Sequence, residues 1–253
     1  MALKKRLIAS LVLRDGVVVR SVEFRHTNVI HASASTAVDF FNRWAIDEIV
    51  VLDVSRDQTQ RTRFYDVVER LSRKCFVPLT VGGWVTTVEE IRRLLRLGAD
   101  KVTINTQACR TPAFVSEAAR AFGAQCIVGA IDVRRGADGT PGVWADRGAE
   151  PTGWRAPEWA RELERRGAGE IYLSSIDRDG GKHGYDLDLV RGVAKAVGIP
   201  VVAFGGAATF QHFVDGLVQG GADAVAAANM FHFTEQSTRR AKEHLRRCGI
   251  DVR

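Results

Sequence analysis

Four strings in the first half of the chain return, in the same order, in the second half. Leu7-Ile-Ala-Ser-Leu-Val-Leu-Arg14 resembles Ile127-Val-Gly-Ala-Ile-Asp-Val-Arg134, and Leu52-Asp-Val-Ser-Arg-Asp57 resembles Ser175-Ile-Asp-Arg-Asp179. Val77-Pro-Leu-Thr-Val-Gly-Gly83 resembles Ile199-Pro-Val-Val-Ala-Phe-Gly-Gly206, and Gly98-Ala-Asp-Lys-Val102 resembles Gly221-Ala-Asp-Ala-Val225. Repetition at half the chain length restricts the fold to architectures that use one supersecondary unit twice. Short β-branched runs ending in Gly, Asp or Asn supply the strand candidates: Arg6 to Leu13, Glu48 to Val54, Val77 to Gly82, Lys101 to Asn105, Gln125 to Asp132, Glu170 to Ser175, Ile199 to Phe204 and Ala222 to Ala227. Between most of them the apolar spacing is near 3.6 residues, the period of a helix with one buried face.

Several of these strands are almost wholly apolar, as a strand must be when a barrel interior lies on one side and helices cover the other. Thr87-x-x-Glu90 reads as a capping box, and Thr111-Pro112 places proline at a first helical position. Gly98, Gly167, Gly198 and Gly221 each sit where a helix ends and a tight return to the next strand begins. The eight βα units with short returns predict an α/β fold of the (β/α)₈ TIM-barrel type rather than a doubly wound sheet. One domain over residues 1–253 is expected, with half-barrels of about 1–123 and 124–253. A chain of 253 residues, 45% hydrophobic and 26% charged, can bury one large core, and it is neither collagenous, disordered nor coiled-coil.

No apolar stretch approaches the roughly 20 residues that span a bilayer, so no membrane role is expected. Cys75, Cys109, Cys126 and Cys248 stand apart with no CxxC pair, which suggests neither zinc nor disulfides and fits a reducing cytoplasm. The net charge of +6 is spread over helix-like segments beside glutamate, as in Glu89-Glu90-Ile-Arg-Arg-Leu-Leu-Arg96. That pattern reads as solvated helix faces rather than a nucleic-acid surface, with attraction of phosphorylated substrates as its functional remainder. The six histidines show no paired ligand spacing, so no metal site is expected. No Walker A, GxSxG or GxGxxG element occurs, and no cofactor is called for.

Barrel enzymes carry their chemistry at the C-terminal ends of the strands. The polar candidates there are Asp53, Asn105, Thr106, Asp132, Asp177 and Asp179, with Gly82, Gly83, Gly205 and Gly206. Asp132 ends an apolar strand and would project over the mouth, either as a general acid or base or as a cap for loop amides. Asn105-Thr106, Asp179-Gly180, Gly205-Gly206 and Ala228-Asn229 read as phosphate seats, because bare backbone N–H groups bind anions, or else simply as turns. A duplicated half-barrel would set two such seats on opposite sides of one mouth, which suits a substrate with phosphate at both ends. The connection from Arg134 to Pro157 is the one long loop, either part of the mouth or a hairpin that only extends the fifth strand.

Taken together, Leu52-Asp53, Val81-Gly82-Gly83, Gly98-Ala-Asp-Lys-Val-Thr-Ile-Asn-Thr106, Ala130-Ile-Asp132, Arg166-Gly-Ala-Gly-Glu170, Ser175-Ile-Asp-Arg-Asp-Gly180, Gly205-Gly-Ala207 and Phe231-His-Phe233 resemble the cyclase subunit of imidazole glycerol phosphate synthase, essentially end to end. That family takes ammonia from a glutaminase partner and converts a bisphosphorylated ribulosyl intermediate into imidazole glycerol phosphate and an aminoimidazole carboxamide ribotide. The resemblance implies that Asp132 is one catalytic carboxylate and that Asn105, Thr106, Asp179, Gly180, Gly206, Ala228 and Asn229 contact phosphate. It also implies an ammonia gate of Arg6, Glu48, Lys101 and Glu170 at the opposite end, with Asp100 facing the glutaminase.

Three positions depart from the family. Val12 stands where the family has its other catalytic carboxylate, Trp84 where it has a third glycine, and Arg20 where it commonly has lysine. An intact gate with an altered mouth resembles the divergent paralogues that pair a glutaminase with a separate ATP-dependent amidotransferase to form acetamidino groups on surface-polysaccharide sugars. The leading expectation is therefore ammonia delivery to such an altered acceptor. Authentic imidazole glycerol phosphate synthesis in histidine biosynthesis is the first alternative, and a non-catalytic scaffold the second.

Overall fold

The computed structural model describes residues 4–57, 59, 61–136, 138–232 and 237–253, so that Phe233, named above, lies outside the described residues. Eight parallel strands close on themselves. They are β1 (Arg6–Arg14), β4 (Glu48–Asp53), β5 (Leu79–Gly82), β6 (Lys101–Ile104), β7 (Ile127–Arg135), β10 (Glu170–Ser175), β11 (Val201–Phe204) and β12 (Ala224–Ala227), with β12 pairing back onto β1. Helices α1 (Ala34–Arg43), α2 (Arg61–Ser72), α3 (Val88–Arg96), α4 (Thr106–Arg110), α5 (Ala113–Phe122), α6 (Ala156–Arg165), α7 (Leu187–Ala194), α8 (Phe210–Val218) and α9 (Ser237–Arg247) complete the βα units. The (β/α)₈ expectation is met.

Strand alternation divides the core in two. On β1, Leu7, Ala9, Leu11 and Leu13 face outward into the layer packed under the helices with Phe41, Trp159, Leu163 and Phe213. Ile8 faces inward and meets Val50, Val128, Tyr172, Val202 and Ala224 inside the barrel. Each fully buried large apolar side chain contributes about 1.5–3 kcal/mol relative to exposure, so the outer layer fastens the helices while the inner one fills the barrel. Within that interior the Tyr172 and Ser10 hydroxyls hydrogen-bond at 2.8 Å, which satisfies both buried groups.

Where expected strand limits differ from observed ones, backbone chemistry gives the reason. The strands expected from Val77 and Ile199 begin instead at Leu79 and Val201, each just beyond a proline that has no N–H for a ladder. The fifth strand was expected from Gln125 to Asp132; Ala124–Cys126 form a 3₁₀ turn and the strand continues to Arg135. Pro112 occupies the N-cap position of α5, one residue earlier than read, with helical dihedrals already in place. The Thr87–Glu90 capping box is present as read.

Two additions to the barrel follow equivalent strands. After β1 comes a hairpin of β2 (Val17–Val22) and β3 (His26–His31), and after β7 one of β8 (Pro141–Ala145) and β9 (Glu150–Arg155). Both β1 and β7 are nine residues long, longer than the six other barrel strands, and their C-terminal extensions carry these ribbons. Among the described residues no helix is long and apolar enough to cross a membrane.

Candidate functional site

The C-terminal strand ends surround a cavity of about 540 Å³, with a neighbouring one of about 240 Å³. Asp179 and Phe204 line both, so the two adjoin. The larger contains Asp132 and Val12. In the closed strand order β1 and β7 stand four strands apart on either path, so Val12 and Asp132 face the mouth from opposite walls. One wall presents a carboxyl group, the other a hydrocarbon.

Asp132 Oδ2 accepts from the Asn105 amide at 2.8 Å. Enclosure by protein pushes its pKa up to about 7; a hydrogen bond from Ser174 holds it down in part, and the charge of Asp179 adds to the rise. Such a group exchanges protons at neutral pH, which an ordinary aspartate does not. Asn105 Oδ1 is buried without a partner, and so is Asn229 Oδ1, just beyond the end of β12.

The expected phosphate seats are distributed between the two cavities. Asn105 and Thr106 line the larger; Gly180, Gly206, Ala228 and Asn229 line the smaller, together with the cationic Arg20 and Lys182. The glycines also answer to packing. A Cβ on Gly83 would lie 2.2 Å from the Asp53 carbonyl oxygen, and one on Gly206 would lie 2.3 Å from that of Gly184. Asp179 accepts from the Ser21 hydroxyl at 2.6 Å and from the Phe24 N–H at 3.3 Å, so its carboxylate anchors the β2–β3 tip.

Two further aspartates hold backbone, one in its own loop and one at the end of β7. Asp53 Oδ1 accepts from the N–H of Ser55 at 3.0 Å and from its hydroxyl, and Asp177 accepts from the Arg135 N–H at 2.8 Å. The long connection is a hairpin that does more than extend the fifth strand: β8 and β9 continue β7, and their tip residues Asp146, Arg147 and Ala149 line the larger cavity. Arg14, Arg25, Arg56, Arg110 and Arg147 converge there as well, a feature the sequence reading missed. Its only trace in the sequence was the net charge of +6.

At the opposite end the four charged residues of the expected gate are each the first residue of a barrel strand, on β1, β4, β6 and β10. They close a ring of alternating sign. Arg6 bonds Glu48 at 2.8 Å and also bonds Glu170; Lys101 bonds Glu48 at 2.9 Å and Glu170 at 2.7 Å. The Thr80 hydroxyl donates to Glu48 at 2.9 Å. Asp100, exposed beside the ring, accepts from the Leu79 N–H at 2.8 Å.

Removing one member of a buried ion pair strands its partners, at about 3–5 kcal/mol. Glu48→Ala deprives Arg6, Lys101 and Thr80 together and is expected to lower the thermal midpoint by on the order of 10 °C for a domain of this size. Melting followed by circular dichroism checks this, and an unchanged midpoint contradicts it.

A family model described as histidine biosynthesis protein matches residues 6–237. The imidazole glycerol phosphate synthase subunit HisF of Alkaliphilus metalliredigens (strain QYMF) is 44% identical over 250 residues, which is 98% of this chain and 98% of that protein.

Proposed function

The chain belongs to the histidine biosynthesis protein family, and from that membership we propose that it is the cyclase-type barrel subunit of an imidazole glycerol phosphate synthase. In this reading a glutaminase docks at the face bearing Asp100 and releases ammonia at the Arg6, Glu48, Lys101 and Glu170 ring. The ammonia then reacts at the mouth with a bisphosphorylated ribulosyl substrate. The single observation that supports the reading best is the placement of Asp132: a carboxyl with a pKa of about 7 at the mouth of a barrel whose far end keeps a closed charged ring.

The residues divide the work by position. Asn105 and Thr106 hold one phosphate end of the substrate, and Gly180, Gly206, Ala228 and Asn229, backed by Arg20 and Lys182, hold the other. Asp179 fixes the β2–β3 tip beside the second seat. Ammonia adds to the substrate carbonyl, and the resulting carbinolamine must lose water. Asp132 gives the departing hydroxyl its proton and afterwards accepts one from nitrogen, so a single carboxyl serves in turn as acid and base. The half-barrels of about 1–123 and 124–253 each contribute one seat.

One observation favours a second reading. Val12 puts hydrocarbon on the wall facing Asp132, which suits a mouth adapted to another acceptor, such as the acetamido group of a nucleotide sugar activated by a separate ATP-dependent amidotransferase. A single assay separates the two. The purified protein is mixed with the bisphosphorylated ribulosyl intermediate and excess ammonium at alkaline pH, and loss of the intermediate's absorbance is followed. Turnover is expected; a folded protein that stimulates a glutaminase yet leaves the intermediate intact would favour the altered acceptor.

A further inference from the structure

We propose that Trp84 and Arg147 form a platform at the mouth that stacks the planar ring of a nucleotide-type ligand, one bearing both a phosphate and a conjugated heterocycle. Trp84 follows Gly82-Gly83 at the end of β5, with a φ of 56°, in the left-handed region. A glycine adopts that conformation without strain, whereas a bulky aromatic does not, so the backbone gives no reason for tryptophan here.

The side chain is nonetheless fixed. Its indole N–H donates to the Ser55 carbonyl at 2.9 Å, and the Arg147 guanidinium lies 5.0 Å from the ring centroid. Arg147 donates to the same carbonyl at 3.2 Å and pairs with Asp146 at 2.6 Å. The Asp146 N–H in turn donates to the Thr106 hydroxyl at 3.0 Å, which ties the platform to one expected phosphate seat. Three successive positive φ values at Asp146, Arg147 and Gly148 bend the β8–β9 tip into this position.

Trp84 is half-buried and lines the larger cavity. Phe24, Tyr172 and Phe204 line the same space, and the last two pack on each other with centroids 5.3 Å apart. Arg14, Arg25, Arg56 and Arg110 line the same space and supply donors for phosphate. An aromatic face held beside arginines recognises a ring and an anion in one molecule, and stacking is tolerant of which ring is presented. A cavity of about 540 Å³ has room for both.

This deepens the function proposed above by giving the nitrogenous half of its substrate a seat, and it rests on that reading only for the identity of the ring. The test is calorimetric titration of the whole protein with the aminoimidazole carboxamide ribotide, uridine monophosphate and ribose 5-phosphate. At least one ring-bearing ligand is expected to bind about tenfold tighter than ribose 5-phosphate, the scale of one stacked base. Trp84→Leu and Trp84→Gly should both abolish that preference while leaving ribose 5-phosphate affinity unchanged. Equal affinity for all three ligands, or a preference that survives both substitutions, overturns the platform. If uridine monophosphate gains the preference and the ribotide does not, the platform stands and the proposed substrate falls.

Discussion

Asp132→Asn is expected to lower ammonia-dependent turnover by about two to four orders of magnitude, the range spanned by general acid–base catalysis. Asparagine keeps the shape and can still bond Asn105, but it can neither give nor take a proton at neutral pH. The loss should fall on kcat rather than on KM, because the proposed phosphate seats are untouched. The wild-type pH profile supplies an independent signature. Acid-assisted loss of water limits imine formation at neutral pH, so kcat measured at constant free ammonia should fall as pH rises through about 7, and Asp132→Asn should erase that inflection. Stability should follow the same pH dependence in the wild type. The folded-state pKa of Asp132 is raised above its unfolded value, so its contribution is present in full below the unfolded value and is lost as pH rises through about 7. Above that pH the asparagine variant, free of the buried charge, should melt no lower than wild type, and inactivity therefore cannot be ascribed to unfolding.

Val12→Asp is the complementary change and is expected to raise turnover by about one to three orders of magnitude. The position is inward-facing, lines the same cavity as Asp132 and lies on the opposite wall, so a carboxyl there would act on the far side of the bound substrate. Two groups could then hold opposite protonation states at once, instead of one group alternating between them. The change has a cost. Val12 is 6% exposed and pairs in register with Leu52, so the new carboxyl enters apolar surroundings and the thermal midpoint should fall. Steady-state rates on wild type and variant check the prediction. A folded Val12→Asp protein with an unchanged rate would mean that the missing carboxylate is not what limits this barrel.

Much of this architecture is readable along the chain because it follows from local rules. The almost wholly apolar, continuously buried run of β1, glycine at helix ends and the half-chain repeat all point to the same barrel, and the four strand-initial charges fall on one ring once the register is known. The turn from β1 into β2 is equally local. Asp15 and Gly16, with φ of 52° and 79°, are an Asp-Gly turn of the type that joins two strands, and the signal lay in the sequence unread. Other features are not local at all. The arginines that line the mouth come from β1, the β2–β3 tip, the β4–α2 loop, α4 and the β8–β9 tip, and only the closed barrel assembles them. The raised pKa of Asp132 arises from enclosure by neighbouring strands, and the left-handed backbone of Trp84 from its place after Gly82-Gly83, neither of which has a residue pattern of its own. Glycine at the strand ends was ambiguous in the sequence, and the contacts at Gly83 and Gly206 show why: the fold requires it there whatever the site binds.

In the proposed reaction this barrel joins free ammonia to a bisphosphorylated substrate at Asp132. Nitrogen-15 ammonium, supplied to the wild-type protein with the bisphosphorylated ribulosyl intermediate and followed by nuclear magnetic resonance, tests it most directly. The expected result is one labelled nitrogen in a newly formed imidazole ring, with label incorporation strongly suppressed in Asp132→Asn. An intact, unlabelled intermediate in the presence of folded wild-type protein would contradict the account.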